Sequence, residues 1–219
     1  MKQIFKTKEP TSLTTYRAGI SKEDLKKLEK FDTAPTKVKE ELRDKLLEEQ
    51  GFICCYCMNR VGGRNSKIEH FKPRSLFRGE QLDYTNLFIA CLGGQGCSPK
   101  EQSCDTKKGN ESLRYINLLS DIEKSIEYKK DGLIFSNNQD IDRELNEILN
   151  LNYNLLQNNR QEALHQLLSD LKKRGWDIPI LKSTLEKYKH KNSKGKYRPY
   201  CEMIVYFLRK KLKQKGVTT

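Results

Sequence analysis

The sequence predicts an α+β protein, mostly helical, in which a small cysteine-framed unit with short strands is embedded between N-terminal helices and a C-terminal helical region. Three observations carry this. Six of the seven cysteines fall between Cys54 and Cys104. The same interval holds the pairs Gly62-Gly63 and Gly93-Gly94 and several short β-like runs. On either side the apolar residues recur with helical spacing instead. The segments are therefore residues 1–50, 51–110 and 111–219.

Residues 1–20 carry Pro10 and several threonines and read as irregular. SKEDLKKLEK, residues 21–30, opens with Ser-x-x-Asp and reads as a short helix capped by Ser21. After a break at 31–35, TKVKEELRDKLLEEQ is a helix with Val38, Leu42, Leu46 and Leu47 on one face and Gly51 as its stop. FICC, KIEHF and NLFIAC are the β-like runs of the middle segment. Beyond Asn110, IEYKKDGLIF reads as a hairpin turning at Asp131-Gly132. Helices are expected at about 140–150, 152–174 and 199–213. HKNSKGKYRP, residues 190–199, reads as a basic, mobile loop. Trp176 and the aromatics of the last helix read as core rather than as base-stacking platforms, His165 as helix surface and His190 as loop without a partner.

With 219 residues the chain holds one large domain or two small ones. No apolar run approaches the roughly 18 residues of a membrane span, and MKQIFKTKEP has no apolar signal core. The expected location is the cytoplasm, where disulfides rarely persist. The net charge is +13, and residues 182–215 contribute 12 Lys/Arg against 2 Asp/Glu, or +10. Such a basic end suits a polyanion, most simply nucleic acid.

An odd number of cysteines led by Cys54-x2-Cys57 points to a bound metal rather than to disulfides. Thiolates at that spacing hold two corners of a tetrahedral Zn2+ site. Cys91, closing NLFIAC, and Cys104, opening an apparent helix start, are the expected second pair; Cys97 is the alternative. Cys55 is expected to pack away from the site.

Between these cysteines stand Glu69-His70 and Asn86, with Asp105 directly after Cys104. The order C-x2-C, E-H-F-K-P-R-S, Y-T-N-L-x-x-x-C and C-D-x-K-K-G-N resembles the HNH endonucleases with a ββα-metal core. It is closest to the HNH subunit of Septu-type and retron-associated anti-phage defence systems. The resemblance is specific over residues 50–110; LRDKLLEEQG before it and RPYCEMIVYFLRK after it are more weakly similar.

That resemblance implies phosphodiester hydrolysis with His70 as general base, a neutral imidazole being suited to take a proton from water. It implies that Glu69 and Asp105 hold a catalytic divalent ion. Asp105 stands where many members carry histidine, which tilts this ion from Zn2+ towards Mg2+ or Mn2+. Asn86 matches the central asparagine and would position the histidine loop or touch the ion; Asn110 is a lesser substrate or metal contact. Lys72, Arg74 and Lys107 are placed to hold phosphates. The implied substrate is DNA, with RNA the alternative, and the implied partner is an ATPase that licenses the nuclease. The competing expectation is a zinc-stabilised nucleic-acid-binding or adaptor module with an inert core.

Overall fold

A computed structural model describes residues 1–27 and 30–218. In chain order it contains α1 (Thr11–Ala18), α2 (Thr36–Glu49), β1 (Ser66–His70), β2 (Leu87–Cys91), α3 (Cys104–Lys108), β3 (Glu127–Tyr128), β4 (Ile134–Phe135), α4 (Gln139–Arg143), α5 (Asn154–Arg174), α6 (Ile178–Lys189) and α7 (Cys201–Gln214). The protein is α+β, with two small two-stranded sheets among helices. Side chains from all three segments share one continuous buried cluster, from Leu13 through Phe88 to Leu208. Among the described residues no helix is long and apolar enough to cross a membrane.

Helix α2 buries Val38, Leu42, Leu46 and Leu47, the face expected from their spacing. It ends just before Gly51, whose φ of +59° and close approach to the Tyr197 ring exclude a side chain there. The Gln50 side chain then ties the helix to the strands: Nε2 donates to Ile53 O and Ile89 O, and Oε1 accepts from Ile89 N. Strands β1 and β2 pair antiparallel, from Ser66 opposite Cys91 to His70 opposite Leu87. The α3 helix packs against β2. FICC is not a strand; Ile53 makes an isolated bridge with Arg60, because the chain turns at once into the cysteine knuckle.

The hairpin forms as expected, with Glu127 opposite Phe135 and Gly132 at φ +87° in the turn. A Cβ on Gly132 would lie 2.2 Å from Gln157 O, so the hairpin seats directly on α5. Buried Arg160 of α5 fastens it, donating from Nε to Gly132 O at 2.6 Å. The helix expected near 140–150 splits into α4 and a π-type turn at Glu144–Ile148. That widened turn delivers the Glu144 carboxylate to the amides of Arg114, Tyr115 and Ile116, at 2.6–3.2 Å.

Three local expectations fail. Residues 11–18, read as irregular, form α1, which buries Leu13 against the core. The stretch 21–30 is a 3-10 turn at Asp24–Lys26 rather than a helix, although Ser21 Oγ does accept from Asp24 N at 3.0 Å; its Leu28 and Glu29 lie outside the described residues. Helix α6 was not anticipated. Pro179 sits in its first turn, where a proline is tolerated. The 190–199 segment is a loop, and it is pinned: Lys191 Nζ donates to Glu48 O, Tyr197 N to Gly51 O, and Arg60 to Tyr197 O.

Glu144→Ala leaves three backbone amides without their charged acceptor. Hydrogen bonds to charged groups are worth roughly 1.5–3 kcal/mol each. We therefore expect a loss of at least about 3 kcal/mol, read as a lower urea midpoint with unchanged slope.

Candidate metal centre and active site

Cys54, Cys57, Cys91 and Cys104 converge, with their four sulfurs within 4.8 Å of one another. The knuckle forms because Met58 N closes a turn on Cys54 O and Cys54 N donates to Asn59 O. Met58 takes φ +62° to do so, and Asn59 N points at Cys57 Sγ from 3.4 Å. Cys91 arrives at the end of β2. Cys104 arrives through a left-handed φ of +56°, its amide held by Leu149 O at 2.8 Å. Cys57 and Cys91 sulfurs are 3.8 Å apart. Four 2.3 Å bonds to a tetrahedral centre separate sulfurs by roughly that distance. The donor set fits a metal such as zinc. Burial opposes ionisation of Cys54, but thiols of Cys104, Cys55, Cys57 and Cys91 around it pull it well below the usual thiol range. Cys97 is exposed and outside the cluster; Cys55 is buried, with its amide on Ile89 O.

The strand register then sets the carboxylates and the imidazole. Lys67 and Glu69 alternate with Ile68 and so share one face of β1. Glu69 is 2% exposed, and its Oε1 accepts from Tyr56 OH at 2.7 Å and from Lys108 Nζ at 2.8 Å. Asp105 lies beside it, with Oδ2 2.6 Å from Lys67 Nζ. Burial, then the Asp105 carboxylate, push Glu69 well above the usual carboxylate range. Burial would raise Asp105 too, but its hydrogen bonds to Glu69 and Lys67 hold it below that range. The two carboxyls thus share one hydrogen bond, and each also has a lysine partner. Hard oxygen donors of this kind fit Mg2+ or Mn2+.

His70 is 8% exposed, a buried imidazole rather than one open to water. Its ring meets Phe31 edge-on with centroids 4.5 Å apart, and Nε2 is 3.0 Å from Gln81 O. A carbonyl only accepts, so Nε2 carries the proton and Nδ1 the lone pair. Burial lowers its pKa to about 4, so the ring is neutral at all ordinary pH values.

Asn86 is a clamp on the loop that follows His70. Its Oδ1 accepts from Lys72 N at 2.7 Å, and Nδ2 donates to Lys72 O and Glu80 O. Lys72 pairs with Glu80 at 2.7 Å, and Arg74 with Asp32 at 2.8 Å while lying over Phe31. Lys107 is half-buried on α3, and exposed Asn110 accepts from Ser75 Oγ at 3.1 Å. Both remaining histidines are exposed; His190 does have a partner, Glu186 Oε2 at 3.0 Å.

Sequence reasoning missed Lys108, Lys67, Tyr56 and Gln81. For two of these a signal existed. Helical i, i+3 spacing sets Lys108 beside Asp105, and strand alternation sets Lys67 beside Glu69. Nothing local marks Tyr56 or Gln81, which come from the knuckle and from a distant turn.

No family model matches this chain. Over 79 residues it is 30% identical to the "Retron Vc95 putative HNH endonuclease" of Vibrio cholerae serotype O1 biovar El Tor. The match spans 35% of this chain and 37% of that relative.

Elemental analysis of purified protein should find one thiolate-bound metal per chain. Cys91→Ser should lose it, and Cys97→Ser should keep it.

Proposed function

We propose that this chain is a metal-dependent HNH-type endonuclease that hydrolyses nucleic-acid phosphodiesters, DNA in preference to RNA. In this reading residues 51–110 are the nuclease unit, and β1, β2 and α3 are its ββα-metal core. Zinc fills the four-cysteine cage, and Glu69 with Asp105 holds Mg2+ or Mn2+. When bound, that second ion supplies positive charge against the phosphoryl oxygens and the departing 3′ oxygen.

The observation that carries the reading is the 3.0 Å contact between His70 Nε2 and the Gln81 carbonyl. With Nε2–H donated to Gln81 O, Nδ1 is left as an acceptor, the form a general base needs. A pKa of about 4 keeps that acceptor free of protons near neutrality. Asn86 holds the backbone of the loop after His70, so its role here is positioning. In this reading Lys72, Arg74 and Lys107 supply phosphate contacts.

The similarity to a retron-associated protein supports an anti-phage role. Control by an ATPase partner rests on the family resemblance of residues 50–110. A second reading, an inert zinc-stabilised binding module, draws on two observations: His70 is buried, and both carboxylates already have lysine partners.

Cleavage of plasmid, single-stranded DNA and tRNA, with Mg2+, Mn2+ or no added divalent ion, separates the two. His70→Ala should lower the divalent-dependent rate by about 10²-fold or more while keeping its cysteine-bound metal. Wild-type protein that binds nucleic acid but cuts nothing under any condition establishes the inert module. The carboxylate site has its own test by calorimetry with Mn2+. Lys67→Met, which frees Asp105 of its ammonium, should tighten Mn2+ several-fold, and Asp105→Asn should weaken it.

A further inference from the structure

We propose that the face formed by α7 and the β3–β4 hairpin is a binding surface for single-stranded nucleic acid, distinct from the His70 site. Two clefts, of about 620 and 320 Å3, flank Tyr206 and share Tyr128 and Lys210 in their walls. Phe135, Tyr206 and Phe207 line the second cleft and are each half-buried, and half-buried Trp176 adjoins it under Lys211. Tyr206 and Phe207 stand perpendicular with centroids 5.7 Å apart. Trp176, Tyr206 and Phe207 pack against the core, as expected, with part of each ring left open.

The charges on the same face are unspent. Among the described residues, none of Lys129, Lys130, Arg209, Lys210, Lys211 and Lys213 pairs with a carboxylate. Three of these ammonium groups lie over the rings instead: Lys129 over Phe135 at 5.6 Å, Lys210 over Tyr206 at 5.9 Å and Lys211 over Trp176 at 6.0 Å. The acids in these walls already accept hydrogen bonds, Glu123 from Gln3 N and Glu127 from Tyr206 on this same face. Glu202 pairs with Lys2 at 2.6 Å, and Glu127 accepts from Tyr206 OH and Asn137 Nδ2. The 190–199 loop is equally basic in sequence but uses two of its cations internally, Lys191 on Glu48 O and Arg198 on Lys187 O.

Cations interleaved with partly open rings match one partner best. A single strand offers phosphates to the cations and unpaired bases to the rings, where stacking contributes roughly 1–3 kcal/mol per base. A duplex keeps its bases stacked and offers this face only phosphates. An acidic peptide offers charge and leaves the rings unused. The surface stands on its own observations and holds whether or not the His70 site cuts.

Trp176 is the only tryptophan and adjoins this face through Lys211, so its fluorescence is a built-in reporter. The experiment titrates full-length His70→Ala protein, without added divalent ion, with oligothymidylate 20-mers. We expect saturable, salt-sensitive change in Trp176 emission, at least tenfold tighter than for a 20-base-pair duplex. Single-strand binding loses about 0.7 in log–log salt slope per phosphate contact removed. Lys210→Gln/Lys211→Gln should therefore flatten the slope by roughly 1.4. Lys129→Gln/Lys130→Gln, on a different element, should act likewise and guards against misfolding of either pair. Lys194→Gln/Lys196→Gln should change nothing. The proposal is overturned by absent binding, by a duplex or polyglutamate that binds as tightly, or by the loop variant losing as much as the α7 variant.

Discussion

The convergence of Cys54, Cys57, Cys91 and Cys104 is the constraint on which the rest of the middle segment depends. Two five-residue strands and a five-residue helix are too short to hold themselves in water. Sulfurs drawn from three separate stretches tie the knuckle, the end of β2 and the start of α3 to one point. Of the three non-glycine residues of the segment with positive φ, Phe52, Met58 and Cys104, the last two lie at this junction. Because Cys104 N also bonds Leu149 O, the same junction couples the strands to the helical remainder.

That geometry decides the electrostatics next to it. Once α3 is anchored at Cys104, Asp105 must face Glu69, and two carboxylates in a buried place demand cations. Lys108 and Lys67 meet that demand in this structure, at 2.8 and 2.6 Å. The imidazole is treated in the opposite way. It is buried without a charged partner, so desolvation keeps it neutral, and one carbonyl selects its tautomer. Charge and neutrality are thus set by neighbours that come from the knuckle, the Gln81 turn and α3 together.

The basic character of the chain also divides once the fold is known. Two cations of the 190–199 loop serve as struts to backbone carbonyls, Lys191 to Glu48 and Arg198 to Lys187, and Arg60 of the knuckle donates back to Tyr197 O. Cations of α7 and the hairpin have no such task. A net charge of +13 therefore overstates some of the surface and understates another part of it.

The sequence by itself determined the features that depend on neighbours close in the chain. The α2 face, the Asp131-Gly132 hairpin, the metal-spaced cysteines and the extended run ending in Glu69-His70 were all legible, because periodicity, turn chemistry and donor spacing are local. Alternation also placed Glu69 and His70 on opposite faces. Tertiary structure alone decided the rest. It chose Cys91 over Cys97, because only β2 carries its last sulfur to the knuckle while the 92–103 insertion leaves Cys97 in solvent. It made helices of α1 and α6, whose weak local signals are overridden by burial of Leu13, Leu181 and Leu185. It closed Phe31 and Gln81 over His70 and brought Lys108 to Glu69, since contacts across tens of residues are written in packing and not in spacing.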